Sequence, residues 1–127
     1  MVDHVLLHHK DTEVVFVVSN IFCIKQETSE RGVLVVPING DSIGAVEVRE
    51  SFADVMALMK VGDGFKGGMA HVRDFKTDAM ALLNPSNVFY LYEEGDGCVV
   101  CPVAGGFEEN GMKIKSVSYL LQYLFKD

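Results

Sequence analysis

The chain has 127 residues, 49% of them hydrophobic, and a formal net charge of −7. That apolar content excludes a disordered chain, and no apolar run approaches the ~20 residues needed to span a bilayer. The acidic balance, with only Arg31, Arg49 and Arg73 as arginines, argues against nucleic-acid binding, which draws most of its affinity from cations on phosphates.

A small anion held by one or two arginines stays open. The first ten residues, MVDHVLLHHK, lack the basic start and the long apolar stretch of a signal peptide. Cys23, Cys98 and Cys101 are an odd number, which suits a reducing compartment better than a disulfide framework. The expected location is cytoplasmic.

Residues 2–9 predict a first strand, and Lys10-Asp11-Thr12 a turn. Val14 to Val18 is a β-branched and aromatic run, the pattern of a buried strand. Ser19-Asn20 bends the chain before a strand over Ile21 to Gln26. Thr28 to Gly32 reads as a hairpin loop and Val33 to Ile38 as a strand, with Pro37 marking its end or an edge. Asn39-Gly40-Asp41 is a turn, and Ala45 to Arg49 a strand with Val46 and Val48 on one face. The period then changes: Phe52, Val55, Met56 and Met59 fall at helical spacing, with Ser51 as cap and Gly62 as stop.

Residues 61–68 hold four glycines and read as a linker. Strands follow over Met69 to Phe75, Ala79 to Leu83, Val88 to Tyr92, Cys98 to Val103 and Met112 to Lys115. Asn84-Pro85-Ser86-Asn87 and Gly95-Asp96-Gly97 are turns between them. Val117, Leu120, Leu121, Leu124 and Phe125 predict a closing helix.

Six anchors recur in order at offsets of 65 to 67: Thr12/Thr77, Asn20/Asn87, Phe22/Phe89, Glu27/Glu94, Pro37/Pro102 and Gly40/Gly105. A constant offset with matched turn residues predicts an internal repeat. The expected fold is α+β, two pseudo-symmetric repeats of antiparallel strands, each ending in one helix. Its parts would be a first repeat over 1–60, a linker over 61–68 and a second repeat over 69–127.

Leu83-Asn84-Pro85-Ser86-Asn87-Val88 in the second half, and Val48-Arg49-Glu50-Ser51 before the first helix, carry a resemblance. The unit resembles the small bacterial FlbD-type flagellar and swarming motility domain. The resemblance implies a β-rich fold of bacterial or phage origin and no catalytic residues.

Several constellations in the chain could carry chemistry. Gly62-x-Gly64-x-x-Gly67 matches a dinucleotide fingerprint as a string, but the order of helix and strand around it is reversed. Cys98-Val-Val-Cys101 within a strand sends its sulfurs to opposite faces, so two buried hydrophobes is the better reading. His4, His8 and His9, with His71, read as histidines flanking strands, because the spacing demands no metal. Glu93-Glu94 and Glu108-Glu109 read as solvated loop charges without calcium-loop spacing. Alternation puts Tyr90 and Tyr92 on one face and Phe89 with Leu91 on the other.

These readings predict a non-enzymatic, self-associating binding or assembly module, a homo-oligomer open to a protein partner, with Phe89, Tyr119 and Tyr123 as interface residues. The alternative is a small-ligand, nucleotide-like binder with Arg49, Arg73, Tyr90 and Tyr92 around a pocket between repeats or protomers. No catalytic residue, metal, cofactor, nucleic acid or membrane partner is expected.

Overall fold

The computed structural model describes residues 3–27, 32–59, 69–104 and 111–115. Within them a ribbon is formed by β1 (His4–His9) and β2 (Thr12–Val17). β3 (Ile21–Gln26), β4 (Val33–Pro37), β5 (Val46–Val48), β6 (Ala70–Arg73) and β7 (Met80–Leu83) make a central sheet in the order β5-β4-β3-β7-β6. β8 (Val88–Glu94), β9 (Gly97–Pro102) and β10 (Met112–Ile114) make an outer sheet in the order β10-β9-β8. All the strand pairings are antiparallel. The helix among the described residues is α1 (Phe52–Leu58).

Local chemistry explains the punctuation. Pro37 ends β4, and its carbonyl accepts from Gly40 N at 2.8 Å while Asn39 Oδ1 accepts from Asp41 N at 2.9 Å. Gly40 sits at φ 75°, a conformation that glycine adopts without steric cost. Ser51 Oγ accepts from Asp54 N at 3.1 Å and caps α1, satisfying one of the amides that a helix start leaves unpaired. Phe52, Val55 and Met59 then turn one buried stripe inward.

The central sheet divides two cores. On one face Ile21, Ile24, Val33, Val35 and Leu82 meet Val5 and Leu7 of the ribbon and Phe52, Val55 and Met59 at α1. On the other, Phe22, Cys23, Val36, Ala81 and Leu83 meet Cys98, Val100, Met112 and Ile114 of the outer sheet. Three layers thus bury both faces of the middle one. A bulge in β3, between Ile21 and Cys23, makes this possible. It shifts the alternation so that Ile21 and Ile24 face one core while Phe22 and Cys23 face the other.

The two-repeat α+β expectation is corrected here. The protein is mostly β, and β3 of the first half hydrogen-bonds directly to β7 of the second in one sheet. Each core mixes residues from both halves, so neither half is a unit with its own interior. The matched anchors are largely turn and strand-end residues, which antiparallel connections reuse for local reasons. The predicted linker 61–68, the Gly62 stop, most of the hairpin loop 28–32, and the closing helix with Tyr119 and Tyr123 lie outside the described residues. No helix among the described residues is long and apolar enough to cross a membrane.

The connection between β7 and β8 is bolted to the one before β3. Asn84 is fully buried and its amide donates to Val18 O at 3.1 Å and Ile21 O at 3.2 Å. Its Oδ1 accepts from Ser86 N at 3.1 Å. Asn87 donates to Ser19 O at 2.8 Å and Ile21 O at 2.7 Å. These carbonyls belong to the 3-10 turn Val18–Asn20 and to the start of β3, so the second turn supplies donors that the first one needs.

Candidate functional site

The end of β6 meets β10 where the central and outer sheets join. Asp74 and Ile114 form an isolated antiparallel bridge. Lys115 N donates to Arg73 O at 3.0 Å and Phe75 N to Lys113 O at 3.0 Å. Ile114 turns into the core, so alternation sends Arg73, Phe75, Lys113 and Lys115 to the opposite side. A chain of net charge −7 therefore gathers three cations on one short junction.

Their partners come from the β6–β7 turn and the outer sheet. Asp74 Oδ2 accepts from Lys76 N at 2.9 Å, Thr77 N at 2.8 Å and Thr77 Oγ1 at 3.1 Å, which fixes the turn. At its end Asp78 has φ 63°. Asp78 Oδ1 lies 2.9 Å from Lys115 Nζ, and Oδ2 lies 3.7 Å from Arg73 Nη1. The hydrogen bond from Lys115, together with the charges of Lys115 and Arg73, holds the Asp78 carboxyl below its ordinary value. Lys113 Nζ lies 3.3 Å from Glu94 Oε1 and 4.1 Å from the Phe75 ring centroid. Gly97 leaves room for this stack: a Cβ there would stand 2.6 Å from Phe75 Cδ1 and 2.8 Å from Ile114 O.

The structure separates the residues expected around a ligand pocket. Arg49 follows β5 and Arg73 ends β6, the two opposite edges of the central sheet. Four strand spacings, about 19 Å, lie between those edges. The two arginines therefore do not stand side by side in this chain. Tyr92 is in register with Val99, and Val99 with Lys113, so Tyr92 lies across the outer sheet from the cationic junction.

A second bulge, between Val88 and Tyr90, corrects the expected facing of β8. Val88 and Leu91 both pack on the core. Phe89 is 68% exposed, edge-on to Tyr90 at 5.5 Å, and Tyr90 stacks on Tyr92 at 6.3 Å. Phe89 is therefore grouped with the tyrosines and not with Leu91.

His8 and His9 have structural partners. His8 Nδ1 lies 2.7 Å from Glu50 Oε2, and Glu50 Oε1 accepts from His8 N at 2.9 Å. His9 Nδ1 lies 2.7 Å from Glu47 O. These contacts tie the ribbon to β5 and the start of α1. Burial pushes the Glu50 carboxyl up, and the hydrogen bonds from His8 more than reverse it, leaving it below 4.5. Among the described residues no three His, Cys, Asp or Glu side chains converge on a metal position.

Cys98 faces the core between the sheets, while Cys101 is buried outside that cluster. Burial raises the Cys98 thiol, and it pushes Cys23 up to about 12. Both thiols stay protonated, which suits core residues and not redox nucleophiles.

His71 sets a pH dependence. Its ring lies 6.1 Å from that of Phe52, and its Nε2 is buried without a hydrogen-bond partner. Burial, with the Arg73 charge adding, pushes its pKa below 6.5. The unfolded chain takes up a proton near pH 6.5 that the folded chain refuses, so stability falls as pH drops from there toward the folded pKa. Urea unfolding midpoints measured from pH 8 to pH 5 are expected to decline more steeply in the native chain than in His71→Leu. Parallel curves would remove His71 as the cause.

Sequence reading missed Lys113, Lys115, Phe75 and Asp78. A signal for two of them was present: Lys113-Ile114-Lys115 on a strand puts both lysines on one face. Their meeting with Arg73 joins residues about forty positions apart, which no local pattern encodes.

No protein-family model matches the chain, and no curated protein matches it. Among solved structures, the chain is similar to the LytTr DNA-binding domain of a methyl-accepting/DNA response regulator from Bacillus cereus. The TM-score is 0.60, with 10% sequence identity over 100% of both chains. This likeness replaces the FlbD-type resemblance, whose short segments were turn and helix-start chemistry shared by many β proteins. It also overturns the reading of a self-associating, homo-oligomeric assembly module and of a small-ligand binder. The exclusion of nucleic acid falls with them, because net charge is a sum over the whole surface and does not report a local cluster. At this identity the likeness is one of fold, and the chain shares the fold of that LytTr domain along its entire length.

Proposed function

We propose that this chain is a non-enzymatic DNA-binding module that contacts the phosphate backbone over a small cationic footprint. The observation that carries the reading is the full-length likeness to a DNA-binding domain. The junction supports it by gathering Arg73, Lys113 and Lys115, each paired with the exposed carboxylate of Asp78 or Glu94. Such a module works in the cytoplasm, which also suits its free cysteines.

The acidic remainder sets the affinity scale. It repels duplex DNA at long range, so binding is weak, and the loss of binding with salt comes from the phosphate contacts. If Arg73, Lys113 and Lys115 each meet one phosphate, the logarithm of the association constant falls against log salt with a slope of about −2.7. Fluorescence anisotropy of a labelled duplex, titrated from low salt upward, measures this. Absence of binding at about 50 mM salt, where phosphate contacts are strong, would sink the proposal.

A further inference from the structure

We propose that Arg73 and Lys115 form a clamp for a single backbone phosphodiester, with the Asp78 carboxylate holding the phosphate's place in the free protein. The inference rests on the DNA-binding reading and names the contact within it. A carboxylate and a phosphodiester each carry one negative charge and present two oxygens to neighbouring donors. Asp78 offers its oxygens to Lys115 Nζ at 2.9 Å and Arg73 Nη1 at 3.7 Å. The cations are set by backbone, because Lys115 N donates to Arg73 O at 3.0 Å. Arg73 Nη1 also donates to Asp78 O at 3.0 Å, which aims the guanidinium along the turn.

Exchange of the carboxylate for a phosphate is cheap. The side chains of Arg73, Lys115 and Asp78 are 50%, 47% and 57% exposed, and ion pairs at such sites contribute little net stability. Charge is conserved in the exchange, and the displaced carboxylate moves into water. Lys113 extends the site. It lies two residues before Lys115, which directly follows β10; in extended backbone that is a rise of about 6.7 Å, comparable to the separation of successive phosphates on one nucleic-acid strand. The Phe75 ring, 4.1 Å from Lys113 Nζ at its centroid, helps hold the ammonium there. The ligand class is therefore two consecutive phosphodiesters, the first between Arg73 and Lys115 and the second at Lys113.

The decisive variant is Asp78→Asn. Asparagine tolerates the positive φ at this position, so the turn is kept while the competing charge is removed. Affinity for a 20-bp duplex at about 100 mM salt is expected to rise roughly five- to tenfold, the effect of about one added phosphate contact. Arg73→Ala/Lys115→Ala is expected to lower it by at least about tenfold. Arg49→Ala, on the far edge of the central sheet, leaves it unchanged. Inorganic phosphate at matched ionic strength is expected to compete no better than chloride.

Wild-type binding that none of these substitutions alters would overturn the clamp and leave the DNA-binding reading standing. Strong competition by inorganic phosphate would also overturn it, by showing a site for free phosphate and not for a strand. If neither the wild type nor Asp78→Asn binds the duplex at low salt, both readings fail together.

Discussion

Phe22→Ala is expected to cost about 3–5 kcal/mol and to lower the melting temperature by roughly 10–20 °C. Phe22 is among the largest fully buried side chains and stands between the central and outer sheets. It occupies the β3 bulge, whose backbone is held by Asn84 N donating to Phe22 O at 2.9 Å, so the site cannot collapse to fill the void. The loss is a large share of the ~5–15 kcal/mol that holds a typical domain together. Phe89 is the matching control. It lies 67 positions later at the corresponding bulge, yet it is 68% exposed. Phe89→Ala is expected to change stability by less than about 0.5 kcal/mol. Equal losses in chemical unfolding would contradict the layered arrangement, because they would require both phenylalanines to be buried.

Asn84→Ala is expected to cost about 3 kcal/mol, from three lost hydrogen bonds at ~1 kcal/mol each. Val18 O keeps a backbone donor, and Ile21 O keeps the Asn87 amide, so the carbonyls are weakened and not orphaned. Asn84→Asp is the sharper test. It sets a buried carboxylate oxygen against the carbonyls of Val18 and Ile21, where the amide had donated. Nothing cationic in the clasp compensates that charge, and its burial is costly. The aspartate variant is expected to be less stable than the alanine variant at neutral pH. It should regain stability as pH falls, because burial raises its pKa and the neutral acid restores a donor. An aspartate variant as stable as the native chain at pH 7 would show that the clasp is open to water.

Much of the local plan was legible in the residues. The strand at Ile21 to Gln26 has the predicted bounds, and Pro37 ends β4 as expected. Ser51 caps α1 through Asp54, and the Asn84 to Asn87 segment turns the chain. Each depends on neighbours within a few positions: alternation, β-branching, a cap or a turn residue. The bulges were not legible. Ile21 to Ile24 reads as a plain run, and the register shift that sends Phe22 and Cys23 to the second core depends on how β4 pairs beside it. The repeat was over-read for the same reason. Matched turns predict similar connections but not which strands pair afterwards.

The candidate site divides along the same line. Arg73 reads from the sequence as an anion contact; the structure sets it beside Lys115 and 3.7 Å from the Asp78 carboxylate. Its expected companion Arg49 stands on the opposite edge, while its actual neighbour Lys115 was read only as the end of a strand.

The sequence by itself determined where most of the strands run and turn, since these depend on short-range sterics and hydration; it did not determine burial, for the Val14 to Val18 run that reads as a buried strand forms β2 with Val15 and Val17 exposed. Only the tertiary structure decided that β3 lies beside β7, that two cores flank one sheet, and that Arg73, Lys113 and Lys115 meet around Asp78. Those outcomes come from closing long loops against the entropy of the chain, and from the place of each charge on the folded surface, which a sum of −7 conceals.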